Sequence, residues 1–295
     1  MKFLCRYLDE LLTALFWLGL LTLSVVRGSP LFEPLEDSGL AFKTVQWATF
    51  VIVLLLIFSP REFFAGVKNF IIVILALMCY EGMKHMHATA LTLWLGISPK
   101  DDLMMALDIA IFGKTPYLWF MDWGLDSTLS VTVLGLFYSA YYFGPIAALG
   151  YAQLSGNDFL FRLIRRGIVI GLYGGYCFYI LIPVAGPISQ ASNLNGLFFE
   201  KIPSFQSAYQ NLRYSFDCFP SLHTAIPWVL VLLCWQQLPA ALKAVAVIFS
   251  IGCTLSTVGL RFHYGIDVIA GVAWAISTAF LARKSMLHYE LATSR

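Results

Sequence analysis

The sequence predicts an all-α protein, a polytopic transmembrane helix bundle of about eight spans with an interfacial helix before the fourth. Two observations predict it. Of 295 residues, 59% are hydrophobic and only 12% are Asp, Glu, Lys or Arg, where soluble domains carry roughly a quarter charged residues. Mean hydropathy is +0.75, and apolar runs recur along the whole chain. A disordered chain is excluded, and a soluble enzyme is not expected. The net charge of +2 comes with no basic block. The expected partners are therefore the bilayer and its lipids, not nucleic acid.

The first run, 9–26, follows Lys2, Arg6, Asp9 and Glu10. Acids in that position, and no A-x-A site after the run, mark a retained span rather than a signal peptide. The second and third runs, 43–59 and 67–83, are close to the roughly 20 residues that cross a bilayer. The segment 84–128 differs. Around Asp101, Asp102 and Asp108 it reads as a helix with Leu103, Leu107, Ala110 and Ile111 on one side and acids on the other. That pattern suits a helix lying in the membrane interface, with Trp94, Trp119 and Trp123 as an aromatic belt. Spans follow at 129–151, 165–184, 222–238, 241–260 and 264–282, with one long loop at 185–221. The organisation is then 1–83 as N-terminal spans, 84–128 as an interfacial segment, 129–284 as the core and 285–295 as a cytoplasmic tail.

With a cytoplasmic N-terminus, 11 of the 19 basic residues fall inside, among them Arg162, Arg165 and Arg166, and the rest spread over longer outer loops. This puts the loop 185–221 and the openings of the sixth and eighth spans on the extracytoplasmic face. A compact chain without soluble appendages suits a bacterial inner (cytoplasmic) membrane. The six Cys are scattered without a CxxC and read as small buried hydrophobes. His85 and His87 have no apparent third ligand, so no metal site is expected.

Two segments carry chemistry. Phe219-Pro220-Ser221-Leu222-His223-Thr224 opens the sixth span, and Arg261-Phe262-His263-Tyr264-Gly265-Ile266-Asp267 opens the eighth. Spans six and seven form a hairpin, which returns the chain to the same face, so His223 and His263 can meet. His263 and Asp267 are four apart and share a helix face. The acid can fix the imidazole tautomer and leave the other nitrogen as a nucleophile. An acid within an apolar stretch ordinarily has a partner and a role. His223 can serve as general acid. Ser221 suits a helix N-cap, where backbone N–H groups can hold phosphate oxygens.

"PSLH" followed by "HYGID" resembles the type 2 phosphatidic acid phosphatase superfamily, integral membrane enzymes acting on lipid phosphates. "FPSLHTA" and "STVGLRFHYGIDVIAG" are most similar to its inositol phosphorylceramide synthase-like branch, and "FYSAYYFGP", "YILIPVAGP" and "DDLMMALDIAIFG" are similar to that branch too. The resemblance covers roughly residues 100–282. It implies a covalent phosphohistidine mechanism without metal or other cofactor. His263 would attack phosphorus, Asp267 would orient it, and His223 would protonate the leaving group. Water, or an alcohol acceptor, would then take the phosphoryl group.

The chain departs from the family pattern where Ser-Arg stands before the nucleophile, because here Ser256 is followed by Thr257. The upstream Lys…Arg-Pro motif is also missing. Phosphate still needs positive partners; Arg261 is the first choice, and Arg213 and Lys201 in the outer loop come next. Tyr138, Tyr141, Tyr176 and Tyr179 can line a headgroup pocket or pack as core. The reading is a lipid phosphatase or phosphotransferase, with headgroup transfer between lipids as the alternative. A rival class is a lipid phosphate transporter with a histidine proton relay, which would call for an internal repeat that the sequence does not show.

Overall fold

The computed structural model describes residues 7–27, 65–84, 96–190 and 216–293. The expected span 43–59 lies outside the described residues, as do His85, His87, Lys201 and Arg213. Within them the chain is helical, with a single isolated bridge between Val184 and Asp217. In order the helices are α1 (Leu8–Arg27), α2 (Ala65–Lys84), α3 (Asp101–Phe112), α4 (Tyr117–Asp122), α5 (Thr128–Ala140), α6 (Phe143–Leu154), α7 (Asp158–Leu181), α8 (Pro187–Gln190), α9 (Leu222–Cys234), α10 (Ala240–Gly259) and α11 (Gly265–Thr293).

The 13-residue α9 is the centre of the bundle. It is apolar on every side, as a helix surrounded by others must be. Ala225, Ile226 and Val229 pack with Ile164, Ile168 and Leu172 of α7 and with Ala275 and Ala279 of α11. The approach of α7 to α9 depends on a row of glycines. A Cβ at Gly167, Gly171 or Gly175 would stand 2.4, 2.7 or 2.4 Å from the side chains of Leu233, Ile226 and Leu222. This small-residue face lets two helices touch closely without help from water.

The outer surface is also apolar. Along α11, Ile269, Val272, Ile276 and Phe280 are exposed, and Val245, Ile248 and Leu255 are exposed on α10. Such contiguous stripes belong against lipid. By length and composition α10 and residues Gly265–Leu287 of α11 can each cross a membrane, and α5 with α6 makes a third candidate if the bent pair is one span. Phe70–Tyr80 and α9 are shorter apolar helices. The chain is thus membrane-embedded, and among the described residues these are the candidate spans.

The fourth expected span is not one rod. α5 and α6 meet at 50°. Pro145 has no N–H to give to the carbonyl of Tyr141, four residues back, and the helix breaks there. The bend sets Tyr141 and Tyr142 at a corner. The fifth expected span begins earlier than the sequence suggested, because α7 starts at Asp158 and takes in all three arginines. Asn157 caps it by accepting from the Leu160 amide at 2.9 Å.

The acids of α3 divide, Asp102 staying exposed while the other two turn into the protein. Asp101 and Asp108 are buried, while Leu103, Ile109 and Ile111 are each about half exposed. Asp101 accepts from the Ala185 and Gly186 amides at 3.0 and 2.8 Å, and from the Tyr264 hydroxyl at 3.3 Å. Gly186 has φ +84°, and a Cβ there would lie 2.3 Å from the Phe262 carbonyl oxygen. Only glycine suits both the backbone region and the space.

Candidate active site

α9 begins at a Ser221 cap, whose Oγ accepts from the Thr224 amide at 3.3 Å. The preceding Phe219–Pro220 peptide bond is cis. The Ser221 amide donates to the carbonyl oxygen of Asp267 at 3.0 Å. At Gly271 a Cβ would come within 2.7 Å of the Ser221 carbonyl oxygen. The openings of α9 and α11 are therefore held backbone to backbone, which is how two motifs 40 residues apart reach one place.

α11 begins against two carboxylates. Asp108 accepts from the Gly265 and Ile266 amides at 3.0 and 2.8 Å, and Asp267 Oδ2 accepts from the Tyr264 amide at 2.9 Å. These satisfy N–H groups that the helix itself cannot. Burial pushes the Asp108 carboxyl above the usual carboxylate range, and the two amides pull it part of the way back. Burial also raises the Tyr264 phenol, with Asp101 adding to it.

His263 is buried. Its Nδ1 lies 2.9 Å from the Cys218 carbonyl oxygen and 3.5 Å from Asp267 Oδ2. A carbonyl only accepts, so Nδ1 carries the proton and the lone pair of the neutral ring sits on Nε2. The sequence paired His263 with Asp267 alone; the structure gives the short hydrogen bond to the Cys218 backbone and leaves the carboxylate facing the same nitrogen. Asp267 is fully buried, and its Oδ1 has no hydrogen-bond partner.

The His223 ring stands 6.4 Å from that of His263, centroid to centroid. It is sandwiched by Tyr138 at 4.0 Å and Tyr141 at 4.1 Å, with Tyr142 edge-on. Its Nε2 is buried without a hydrogen-bond partner. Pro227, one turn on, cannot donate to the His223 carbonyl. Beside His223 opens a small cavity walled by Tyr80, Tyr141, Tyr142, Tyr176 and Tyr179, with Asp217 among them. Among the described residues lining it, none is Lys or Arg. The Tyr80 hydroxyl donates to the Asp217 carboxylate.

Of the expected residues, His223, His263, Asp267 and Ser221 are brought together. Arg261 is turned elsewhere. It has φ +63°, its Nη2 lies 3.0 Å from Met121 Sδ, and its guanidinium sits over the Tyr117 ring. It lines a second cavity with Phe120, Met121 and Asp126. Burial lowers its pKa, opposed by Tyr117 and Asp126. Thr257, where the family pattern has Arg, is buried, and its carbonyl accepts from the amides of Phe262 and His263 at 2.9 and 3.1 Å. Cys218 is buried, with Sγ 3.2 Å from the Phe262 carbonyl oxygen. Cys218, His263 and Asp267 present possible metal-ligand atoms within 4.8 Å of one another.

Tyr80, Tyr142 and Asp217 were not singled out from the sequence. Asp217 stands four residues before Ser221, so its charge beside the motif was a usable signal. Tyr80 belongs to a distant helix and gave none.

Compared with known proteins, residues 103–281 match the family model described as the PAP2 superfamily. No curated protein and no solved structure matches the chain.

Proposed function

Since the chain belongs to the PAP2 superfamily, which supports a phosphatase- or phosphotransferase-type activity, we propose that it acts on a lipid phosphate or phosphodiester through a phosphohistidine intermediate. The observation that carries this is the meeting of His223 and His263, 6.4 Å apart, with Asp267 facing the second ring. One phosphoryl group can touch both rings at that separation.

In the proposed reaction His263 Nε2 attacks phosphorus. The N–P bond forms as the P–O bond to the leaving group breaks, and protonated His223 gives its proton to the departing oxygen. The Cys218 carbonyl holds the tautomer, and the Asp267 carboxylate stabilises the positive charge that develops on the ring. Water or an alcohol then attacks phosphorus, gives its proton to His223, and releases His263. The scheme changes no oxidation state, and the proton that leaves with the first product is returned to His223 in the second step. Arg213 and Lys201, outside the described residues, stay candidates for the phosphate charge; Arg261, against Met121, is less well placed for it.

Hydrolysis and transfer share the first step and differ in whether water or an alcohol takes the second. Transfer of a headgroup between lipids, as in the synthase-like branch, is the reading favoured by Thr257 in the place of the family Arg. The distribution of basic residues supports a site on the extracytoplasmic face.

The test is phosphate release from a panel of lipid phosphates and phosphodiesters by the purified protein in detergent, with and without an acceptor alcohol. Turnover is expected to vanish in His263→Ala. Release in water identifies a phosphatase, and product only with the alcohol identifies a transferase. Equal activity of parent and variant would remove the covalent mechanism.

A further inference from the structure

We propose that Cys218, His263 and Asp267 form an inhibitory site for a thiophilic divalent cation, with Zn²⁺ as its model. Binding of the cation stands on the three side chains alone. That it stops turnover rests on the phosphohistidine reading above.

One ligand atom from each residue lies within 4.8 Å of the other two, and all three residues are buried. Tetrahedral zinc, with bonds of about 2.0–2.3 Å, spaces its ligand atoms roughly 3.3–3.6 Å apart. The side of the triangle from His263 Nδ1 to Asp267 Oδ2 is already 3.5 Å. Closing the rest asks for a side-chain shift on the order of an ångström. The sulfur is lodged against the backbone that carries the nucleophile. Cys218 Sγ is 3.2 Å from the carbonyl oxygen of Phe262, the residue before His263. A Cβ at Gly186 would stand 2.7 Å from that sulfur, so the glycine makes the room it occupies. The carboxylate supplies a separate sign. Asp267 Oδ2 accepts from the Tyr264 amide at 2.9 Å, but Oδ1 is buried with no hydrogen-bond partner among the described residues. A buried carboxylate oxygen ordinarily has one, and a cation would supply it. Asp108 and Asp101 stand close enough to add to the negative field at Asp267.

The donor set selects the metal. One sulfur, one imidazole nitrogen and one carboxylate oxygen suit zinc and its neighbours. Mg²⁺ and Ca²⁺ ask for a shell of oxygens that three such ligands do not provide. A thiolate and a carboxylate together carry two negative charges, so a divalent cation closes the site as a neutral unit, as burial favours. The protons balance as follows. Cys218 binds as the thiolate and gives its proton to water. His263 binds through Nδ1, which gives up its proton and its hydrogen bond to the Cys218 carbonyl, while Nε2 takes a proton up. The ring stays neutral, and the net release is the thiol proton. Nε2 then holds N–H in place of a lone pair and cannot attack phosphorus.

The experiment titrates the full-length reduced protein in detergent with Zn²⁺, and with Co²⁺ as a spectroscopic probe. Binding is read by calorimetry and by the sulfur-to-cobalt charge-transfer band that thiolate ligation gives. The parent is expected to show that band and to keep it in a large excess of Mg²⁺. Cys218→Ala, which retains the backbone carbonyl, is expected to lose the band and to bind Zn²⁺ at least tenfold more weakly. Asp267→Asn is expected to keep the band and weaken binding by a similar factor. Turnover of the parent is expected to fall as Zn²⁺ fills the site and to return on chelation. A parent without the band overturns the site with no variant involved, so a misfolded variant would not protect it. A band undiminished in Cys218→Ala belongs to another cysteine and overturns it too. No cation bound, with turnover lost in His263→Ala, overturns the site and leaves the mechanism. A filled site with full turnover overturns the inhibition, and His263→Ala then shows whether the phosphohistidine reading falls with it.

Discussion

His263 is held by a neutral acceptor and faced by a charged one, and the two do different things. The Cys218 carbonyl at 2.9 Å fixes the ring and its tautomer. The Asp267 carboxylate at 3.5 Å adds little to that geometry, but it lies where the ring becomes positive. Asp267→Asn keeps the size and, with the carbonyl in place, the ring orientation. It is expected to lower kcat by about 10²- to 10⁴-fold, the range seen when the acid behind a catalytic histidine is neutralised, with KM changed much less. Single-turnover phosphorylation of His263 measures this directly. A loss confined to KM would assign Asp267 to binding instead. The spacing of four residues made the acid legible in the sequence. The Cys218 carbonyl was not legible, because a backbone acceptor leaves no mark on residue identity.

Among elements, α3 shows how far pattern can be trusted in a membrane. The sequence places a helix at the right residues, with apolar and acidic sides. It does not say which side faces the protein. In water the apolar side would turn inward; next to lipid it can face out. The acids then serve the backbone: Asp108 receives the first amides of α11, and Asp101 the amides of Ala185 and Gly186. Asp108→Ala leaves two buried N–H groups without acceptors, at about 1–3 kcal/mol for each group left unsatisfied. A clear fall in the unfolding temperature of the purified protein is expected, with Asp108→Asn, which keeps one carbonyl, falling less. An unchanged temperature would mean that water replaces the carboxylate.

At the scale of the molecule there are two polar ends. The histidines lie at one. At the other, Arg165 and Arg166 converge on Asp9: the Arg165 Nη2–Asp9 Oδ2 distance is 2.7 Å and the Arg166 Nε–Asp9 Oδ1 distance is 2.9 Å, with all three side chains buried. Arg166 also reaches Ser285 of α11 at 3.4 Å. From Asp267 to Ser285 a helix rises about 27 Å at 1.5 Å per residue, close to the roughly 30 Å of a hydrocarbon core. The sequence read these arginines as a topological signal; their pairing with a residue 156 positions away was beyond any local pattern, as was the placement of Tyr80. What the sequence did show was an apolar run for each of α1, α2, α7, α9, α10 and α11, the helix α3, and the two histidine motifs. Asp9→Asn leaves two buried guanidiniums short of an anion, and a loss of about 3–5 kcal/mol is expected, read as a lower unfolding temperature. KM at the opposite end should not move; if it does, the two ends are coupled.

The 3.0 Å bond between the Ser221 amide and the Asp267 carbonyl has a consequence for how this protein can be altered. Its clamp sits at the opposite end of α9 from the turn at residues 235–239. The alignment of the two histidines is therefore set locally, away from the turn, whose own ties are the Tyr151 hydroxyl on the Gln237 carbonyl and Leu238 against the core. Extra residues inserted there, or a cut with both fragments expressed together, would leave the reacting groups in register. The turn is the natural entry point for a reporter domain.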